Sequence, residues 1–441
     1  MACVQRSFFL DCLGCPKNEV DSDYLVSALL REGWSQLDTQ EGAGVIVINT
    51  CSFIVPAVEE SIEAIMEMGE LSVQGDRRLV VTGCLVARYG KDKLSALLPE
   101  VDLFVDFAEY PYFATMLEAM LNGGGRSEGK LFFRDHASTL SRGYVYIKIA
   151  EGCGRKCTFC SIPAIRGPLR SRPWEEIRDE ARLFLARGAR ELILIAQDTT
   201  SYGLDIYGRR SLSLLTDRLC EEDGDWKMRI MYTHPEGVDD EVLRAMSHPR
   251  VQGYLDLPFQ HVDERILRAM GRKGSADSHR SLLERIRGTG DDIAVRATFI
   301  VGFPGEDQAA FESLYDFIAE MRFDWIGLFS YSQEERTVAF SLGRGVGAAV
   351  TRRRIEEISA LQEEIMRDRA AEMVGRKLEV LVEERSLEAP GFWEARSYRE
   401  APDIDGVIFI PHNGDIRPGS IYKARIVATE GIDLVGSLEA Q

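Results

Sequence analysis

The sequence predicts an α/β protein in three parts: an N-terminal open parallel α/β sheet over residues 1–127, a partial (β/α)6 barrel over 139–370, and a small C-terminal all-β barrel over 371–441. Three observations carry this reading. Apolar runs of strand length alternate with stretches of helical period as far as about residue 371, the signature of parallel strands joined by helices. The Gly-rich stretch 122–128 interrupts the alternation and reads as a boundary loop. Past Met373 the helical period gives way to short β-runs separated by turn residues. The length agrees, since 441 residues exceed what one hydrophobic core serves. With 45% apolar and 28% charged residues the composition is globular. No apolar run approaches the ~20 residues of a membrane span, and the first residues lack a signal-peptide pattern. Nine cysteines, odd in number and unevenly spread, argue against a disulfide framework and for a reducing, cytoplasmic compartment. A formal charge of −18 disfavours non-specific binding to nucleic acid and favours a basic partner.

The N-terminal strands fall at 7–11, 45–49, 78–82 and 101–106, with one helix through Leu25, Leu29 and Leu30 and another near 56–69. Cys15, Cys51 and Cys84 each lie in the turn just after a strand. In an open parallel sheet those turns share the carboxyl edge, where ligands bind. Three thiols from distant parts of the sequence therefore meet at one candidate metal centre. Cys12 forms a CxxC with Cys15 of the redox-active kind, but with Cys15 a ligand it reads as a small strand-end residue. Cys3 and Cys220 have no partner pattern and are expected to be inert.

In the second part, strand runs fall at 144–150, 191–196, 229–233, 254–258, 294–301 and 325–331, with helices at 174–186, 238–246 and 308–321. Six such units over about 190 residues suit an open barrel that works at its carboxyl mouth. The first strand runs into Glu151-Gly152-Cys153-Gly154-Arg155-Lys156-Cys157-Thr158-Phe159-Cys160, three thiols in the pattern CxxxCxxC. Thiolates favour iron–sulfur clusters or zinc. Structural zinc wants four closed ligands, and the closest further candidates, His136 and His234, are distant in sequence. Three thiolates on a cubane leave one iron open, which suits a cluster that must bind and cleave something. Gly152 and Gly154 let the backbone wrap closely around it. At the other strand ends stand Gln197-Asp198-Thr199-Thr200, His234-Pro235, Gln260-His261 and 302–306. By position they could hold cofactor or substrate, although each alone is as readily a helix cap or a turn polar.

Residues 351–371 form a charged helix with Ile355, Ile358, Leu361 and Ile365 on one stripe, expected to pack on the barrel. The β-runs that follow lie at 378–383, 392–397, 407–410, 421–428 and 433–435, with turns at Gly391, Asn413-Gly414 and Pro418-Gly419. This is a barrel of the oligonucleotide-binding size class. Over 371–441 its eight Lys and Arg face thirteen Asp and Glu, a balance of 8 − 13 = −5. A phosphate-tracking surface is basic.

The CxxxCxxC motif, with Phe159 directly before the third cysteine, resembles the signature of the radical S-adenosylmethionine (SAM) superfamily. The whole chain resembles the methylthiotransferases of that superfamily: a three-cysteine domain, a radical SAM barrel and a terminal TRAM domain. The stretches Leu13-Gly14-Cys15-Pro16-Lys17-Asn18, Ala196 to Gly203 and Ala401 to Val407 resemble the branch that modifies the small-subunit ribosomal protein S-twelve; Cys12 stands where that family usually has Ser. The resemblance implies two [4Fe-4S] clusters and SAM as cofactors. Cys153, Cys157 and Cys160 would hold the cluster that cleaves SAM to a deoxyadenosyl radical, and Cys15, Cys51 and Cys84 the auxiliary cluster that carries the sulfur. By their position at the strand ends, Gln197, Asp198 and Gln260 are the residues expected to reach SAM. The implied reaction is methylthiolation of an aspartate β-carbon, whose C–H bond offers no proton at a useful pKa to a general base. Implied partners are the basic ribosomal protein, free or in the ribosome, and an electron donor such as flavodoxin or ferredoxin, with no membrane and no specific tRNA binding. Glu383, Glu384, Glu394, Asp403 and Asp405 are expected to form a field that attracts the basic substrate. The alternatives are a tRNA adenosine methylthiotransferase, which would carry a basic terminal domain, and a non-enzymatic iron–sulfur scaffold, which would carry closed four-cysteine sites.

Overall fold

Val45-Ile46-Val47-Ile48 is apolar at every position because both of its faces are covered, and it becomes the central strand of a parallel sheet. A computed structural model describes residues 6–75, 77–122, 134–290, 292–412 and 415–439. Cys3, most of the expected 122–128 loop and the Asn413-Gly414 turn lie outside the described residues. Two compact units result: one of residues up to Ser138 with Ser161–Pro168, the other of Thr139–Cys160 with Leu169 onward.

In the first unit, β1 (Ser7–Cys12), β2 (Ser35–Gln36), β3 (Val45–Thr50), β4 (Arg78–Gly83) and β5 (Leu103–Val105) make one parallel sheet in the order β2-β1-β3-β4-β5. Alternation along β3 divides the core. Val45 and Val47 pack with Leu25, Leu29, Phe113 and Leu117 on one face. Ile46 and Ile48 pack with Ile65, Leu85 and Leu94 on the other. The strand order changes direction between β1 and β3, and the crevice at that point opens at the carboxyl edge.

In the second unit, β6 (Tyr144–Lys148) runs into a two-stranded hairpin of β7 (Ala150–Glu151) and β8 (Arg170–Ser171). β9 (Glu191–Ile195), β10 (Lys227–Ile230), β11 (Tyr254–Gln260), β12 (Ala294–Val301) and β13 (Trp325–Ser330) complete six parallel barrel strands. The ladder is broken once, into β10-β9-β6 and β11-β12-β13. The free edge of β10 is taken instead by the loop before β11, where Met228 N–H donates to Arg250 O and its carbonyl accepts from Gln252 N–H, both at 2.7 Å. The long helix Ala348–Ala371 packs with Ile358 and Ile365 buried, but also with Arg354 and Gln362, which bond Glu306 and the Phe323 carbonyl. The last five strands, β14 (Lys377–Arg385), β15 (Phe392–Arg396), β16 (Ile408–Pro411), β17 (Ser420–Glu430) and β18 (Asp433–Leu438), close a barrel.

This terminal barrel sits on the amino ends of the parallel strands, held by ion pairs. Glu191 at the start of β9 accepts from Arg229 and Arg396, each at 2.8 Å. Arg396 also holds Glu383 at 2.5 Å, and Arg142 holds Glu383 at 2.9 Å and Asp403 at 3.0 Å. Asp405 accepts from Arg296 at 2.5 Å and from the Tyr254 hydroxyl at 2.8 Å. The Trp325 indole donates to Arg399 O at 2.6 Å. Glu383 and Asp405 are thus buried against barrel arginines, which corrects the expectation that they face a basic partner. Four of the six parallel strands begin with a charged or hydroxyl-bearing residue that needs a partner; the terminal barrel supplies acids to Tyr144, Lys227 and Tyr254 and Arg396 to Glu191.

Burial would raise the Glu191 carboxyl, but Arg229 and Arg396 hold it below its ordinary 4.5. Its contribution is therefore complete above the ordinary Glu range and lost as pH falls below it. Arg396→Met, which strips a partner from two buried carboxylates, is expected to cost about 3–5 kcal/mol. The drop in thermal midpoint of the full chain measures this, with exposed Glu388→Gln as a control expected to stay within about 0.5 kcal/mol.

Candidate metal centres

Each cysteine of the first unit emerges where a strand ends. Cys15 is the N-cap of helix Pro16–Arg31 after β1, Cys51 directly follows β3, and Cys84 opens the helix Cys84–Tyr89 after β4. Burial pushes the Cys84 thiol up to about 12, with Arg166 opposing and Cys15 and Cys51 adding to the rise. Burial raises Cys51 as well, and Cys15 adds to it. The three thiols feel one another because the strand ends are flush, with Cys12 opposite Asn49 and Thr50 opposite Gly83. Two glycines permit the approach: a Cβ at Gly14 (φ +97°) would lie 2.8 Å from Cys51 Cβ, and one at Gly83 (φ +95°) 2.3 Å from Asn49 Oδ1.

Asn18 straps the edge, its amide donating to Leu13 O at 2.8 Å and Thr50 O at 2.9 Å. Asn49 donates to Asn18 O and Ser22 Oγ. Arg166 brings a buried guanidinium to the same place, 3.3 Å from Cys84 Sγ. Sequence reasoning missed these three; the signal for Asn49 was its place two residues before a strand-end cysteine. Cys12 bonds Ser22 and is pushed far up by burial. Cys220 is buried at the end of helix Leu212–Cys220, its thiol raised to about 11 by burial. Among the described residues no three His, Cys, Asp or Glu side chains are drawn tightly enough to grip a single ion; the corners of a cubane stand further apart than the ligands of one ion.

In the second unit, Cys153, Cys157 and Cys160 lie on the loop after β7. The loop is stitched down by Thr158, whose N–H donates to Met270 O at 2.9 Å, whose hydroxyl donates to Ala269 O at 2.7 Å, and whose carbonyl accepts from Ala339 N–H. Phe159 packs with Ile266, Met270 and Phe303 beneath the loop. Burial raises the Cys153 thiol, with the Arg155 N–H opposing.

Around this loop stand the strand-end polar residues. Gln197 donates to Glu151 at 2.7 Å, Lys148 salts the other Glu151 oxygen at 2.7 Å, and Gln197 Oε1 is buried without a partner. Asp198 is fully engaged by Arg155 at 2.8 Å and by Thr200 and Ser201 at 2.6 Å. Burial would raise its carboxyl, but Arg155 and the two hydroxyls hold it below the ordinary range. Gln260 has φ +71° at a register shift in β11, a strained conformation that re-aims a side chain. His234 Nδ1 accepts from Glu236 N–H and its Nε2 edge lies against Arg272; burial, then Arg272 and Arg155, push it down to about 3, so it is neutral. His261 is wholly buried, accepting from Asp263 N–H and lying 3.6 Å from Glu306.

Gly14→Ala is expected to displace Cys51 and make its thiol several-fold faster to alkylate in the metal-free protein. Gly33→Ala, at φ +80° with open space around it, carries the same backbone strain and is expected to leave that rate unchanged.

Comparison with known proteins extends these observations. Residues 147–318 match the radical SAM superfamily, 7–106 the uncharacterized protein family UPF0004, and 374–438 the TRAM domain. The fold resembles TsrM from Kitasatospora setae, a radical SAM methyltransferase, at TM-score 0.55 and 14% identity over 74% of this chain and 73% of that one. Full-length relatives are closer. The proteins named ribosomal protein uS12 methylthiotransferase RimO from Alkaliphilus oremlandii and Heliobacterium modesticaldum are 39% and 41% identical, over 97% and 99% of this chain and 97% and 95% of theirs. One from a Thermotoga strain is 40% identical over 97% of this chain and 98% of its own. The chain therefore belongs to the RimO family of radical SAM methylthiotransferases.

Proposed function

We propose that the chain transfers a methylthio group to the β-carbon of an aspartate in ribosomal protein S-twelve, using SAM and two [4Fe-4S] clusters. The observation that carries this reading is the presence of two separate three-cysteine sets in one chain, one just past the ends of three parallel strands and the other on the single loop that follows β6 and β7. Cys153, Cys157 and Cys160 are the ligands of the SAM-cleaving cluster, and Cys15, Cys51 and Cys84 those of the auxiliary cluster. When bound, the first supplies reductive cleavage of SAM and the second the sulfur, while the protein supplies ligation, orientation and exclusion of water.

The donor chemistry fits. Soft thiols in threes leave one iron of a cubane open, and thiols kept neutral by burial give up their protons as metal binds. Gln197 Oε1, a buried acceptor without a partner, is the kind of atom a bound ligand's N–H satisfies. Gln260 is proposed as a second SAM contact, on the strength of its strained backbone. Asp198 acts through Arg155, whose guanidinium it orients, since its own oxygens are taken. Neutral His234 packs its Nε2 edge against the Arg272 guanidinium while its Nδ1 accepts from Glu236 N–H. A flavodoxin- or ferredoxin-like donor supplies the electron. Among the described residues no helix is long and apolar enough to cross a membrane, and free cysteines suit the reducing cytoplasm.

Anaerobic reconstitution is expected to load about eight irons per chain. Alanine at Cys153, Cys157 and Cys160 together should leave about four and abolish SAM cleavage. Alanine at Cys15, Cys51 and Cys84 should also leave about four but spare cleavage to deoxyadenosine while stopping methylthio transfer. Unchanged iron in either variant would refute its ligand assignment. Mass spectrometry of the ribosomal protein from cells with and without this chain tests the substrate: one methylthio substituent on an aspartate is expected. The same group found only on tRNA nucleosides would overturn the proposal in favour of a tRNA enzyme.

A further inference from the structure

The short helix Ile162–Arg166 begins two residues after Cys160 yet packs with the N-terminal sheet. Ser161 fastens its start by donating to Phe53 O at 3.2 Å. Its last residue, Arg166, is 4% exposed and held from several sides. Nη1 donates to Asp21 Oδ2 and Nη2 to Asn18 Oδ1, each at 2.5 Å. The guanidinium lies 4.1 Å from the centroid of the Phe107 ring. From that fixed position Nη2 also reaches Cys84 Sγ at 3.3 Å. Asn18, one of its acceptors, is the residue that straps the β1 and β3 turns together.

A planar fork with several donors can serve a carboxylate, an amide and a sulfur at once; the point charge of a lysine cannot. A buried positive charge and an N–H···S bond both favour the more negative, reduced state of an iron–sulfur cluster, because hydrogen bonds to sulfur and net charge set its potential. Taking Cys15, Cys51 and Cys84 as ligands, as proposed above, we infer that Arg166 is a positioning residue of the auxiliary cluster, holding the Cys84 sulfur and raising the cluster's reduction potential. The residues after the SAM-cleaving motif thereby serve the other centre: one stretch of chain, Cys153 to Arg166, carries the ligands of one cluster and the tuning group of the second.

The test uses the full chain with Cys153, Cys157 and Cys160 replaced by Ala, so that only the auxiliary cluster is read. Arg166→Lys and Arg166→Met are compared with their parent, and Asp21→Asn with Asp21→Asn/Arg166→Met, a pair in which the partner carboxylate is already neutral. Iron per chain and the midpoint potential, followed by electron paramagnetic resonance, are measured for each. About four irons are expected throughout, with the potential moving negative in Arg166→Met, less so in Arg166→Lys, and again between the two Asp21→Asn proteins. Iron lost in Arg166→Met but regained in the double variant, at a lowered potential, supports the same conclusion. An unchanged potential at full iron in both comparisons overturns it. So does loss of iron in the double variant with unchanged circular dichroism, which would make Arg166 a requirement for ligation and not a tuning group. Absence of iron from the parent itself would refute the ligand assignment, and this inference with it.

Discussion

Three thiols from distant parts of a chain meet only if the chain turns at one place three times, and a parallel sheet enforces that. β1, β3 and β4 are neighbours with flush ends, so the residues just past them have nowhere to go but the same edge. The arrangement brings a cost, because turns crowded together bury backbone polar groups. Asn18 and Asn49 answer it by bonding the carbonyls of Leu13, Thr50 and Asn18. Gly14 and Gly83 answer the steric half, taking positive φ where a side chain would strike Cys51 or Asn49. The thiols, the amide straps and the glycines are thus consequences of one topological choice.

The second unit divides its work between the two ends of its barrel. At the carboxyl ends the CxxxCxxC loop is pinned through Thr158, and the polar residues around it hold one another in place. At the amino ends Tyr254, Arg229, Arg296 and Glu191 are covered by the terminal barrel. Parallel strands leave unpaired polar groups at both ends. Sealing one end with matched charges lets the other stay available for ligands, the division of labour seen in barrel enzymes generally.

Much of this was legible in the sequence. The β3 run reads as a doubly covered strand because it is apolar at every position, and a cysteine right after such a run must lie on the carboxyl edge. The three-thiol spacing of Cys153, Cys157 and Cys160 restricts the chemistry without any structure. What could not be read are pairings between distant segments. Arg166 looks like an ordinary helix-end arginine until the fold sets it beside Asn18 and Asp21, about 145 residues away. The break between β10 and β11 depends on a loop whose backbone happens to satisfy Met228. Asp198 has the type and position of a ligand-binding residue, yet Arg155 and Ser201 share one of its oxygens and Thr200 takes the other.

The acidic terminal segment illustrates why a segment's formal charge is not the field it presents. Its balance of −5 counts Glu383, Asp403 and Asp405 as free acids. Arg142 and Arg296, which come from outside the segment, pair with all three, and Lys227 pairs with Glu379. The partners of the most buried acids are arginines, at Glu191, Glu383, Glu306, Asp21 and Asp23, whereas Lys148 and Lys227 serve pairs more open to water. Arg is more weakly hydrated than Lys and offers several donors in fixed directions, so it can be buried with its hydrogen bonds made. Attraction of the basic partner proposed above has therefore to come from exposed carboxylates outside these pairs, such as Glu388, and from the excess of acid over the whole chain. That part of the field is long-ranged, screened by salt, and acts on the rate of encounter; the buried acids act on the fold.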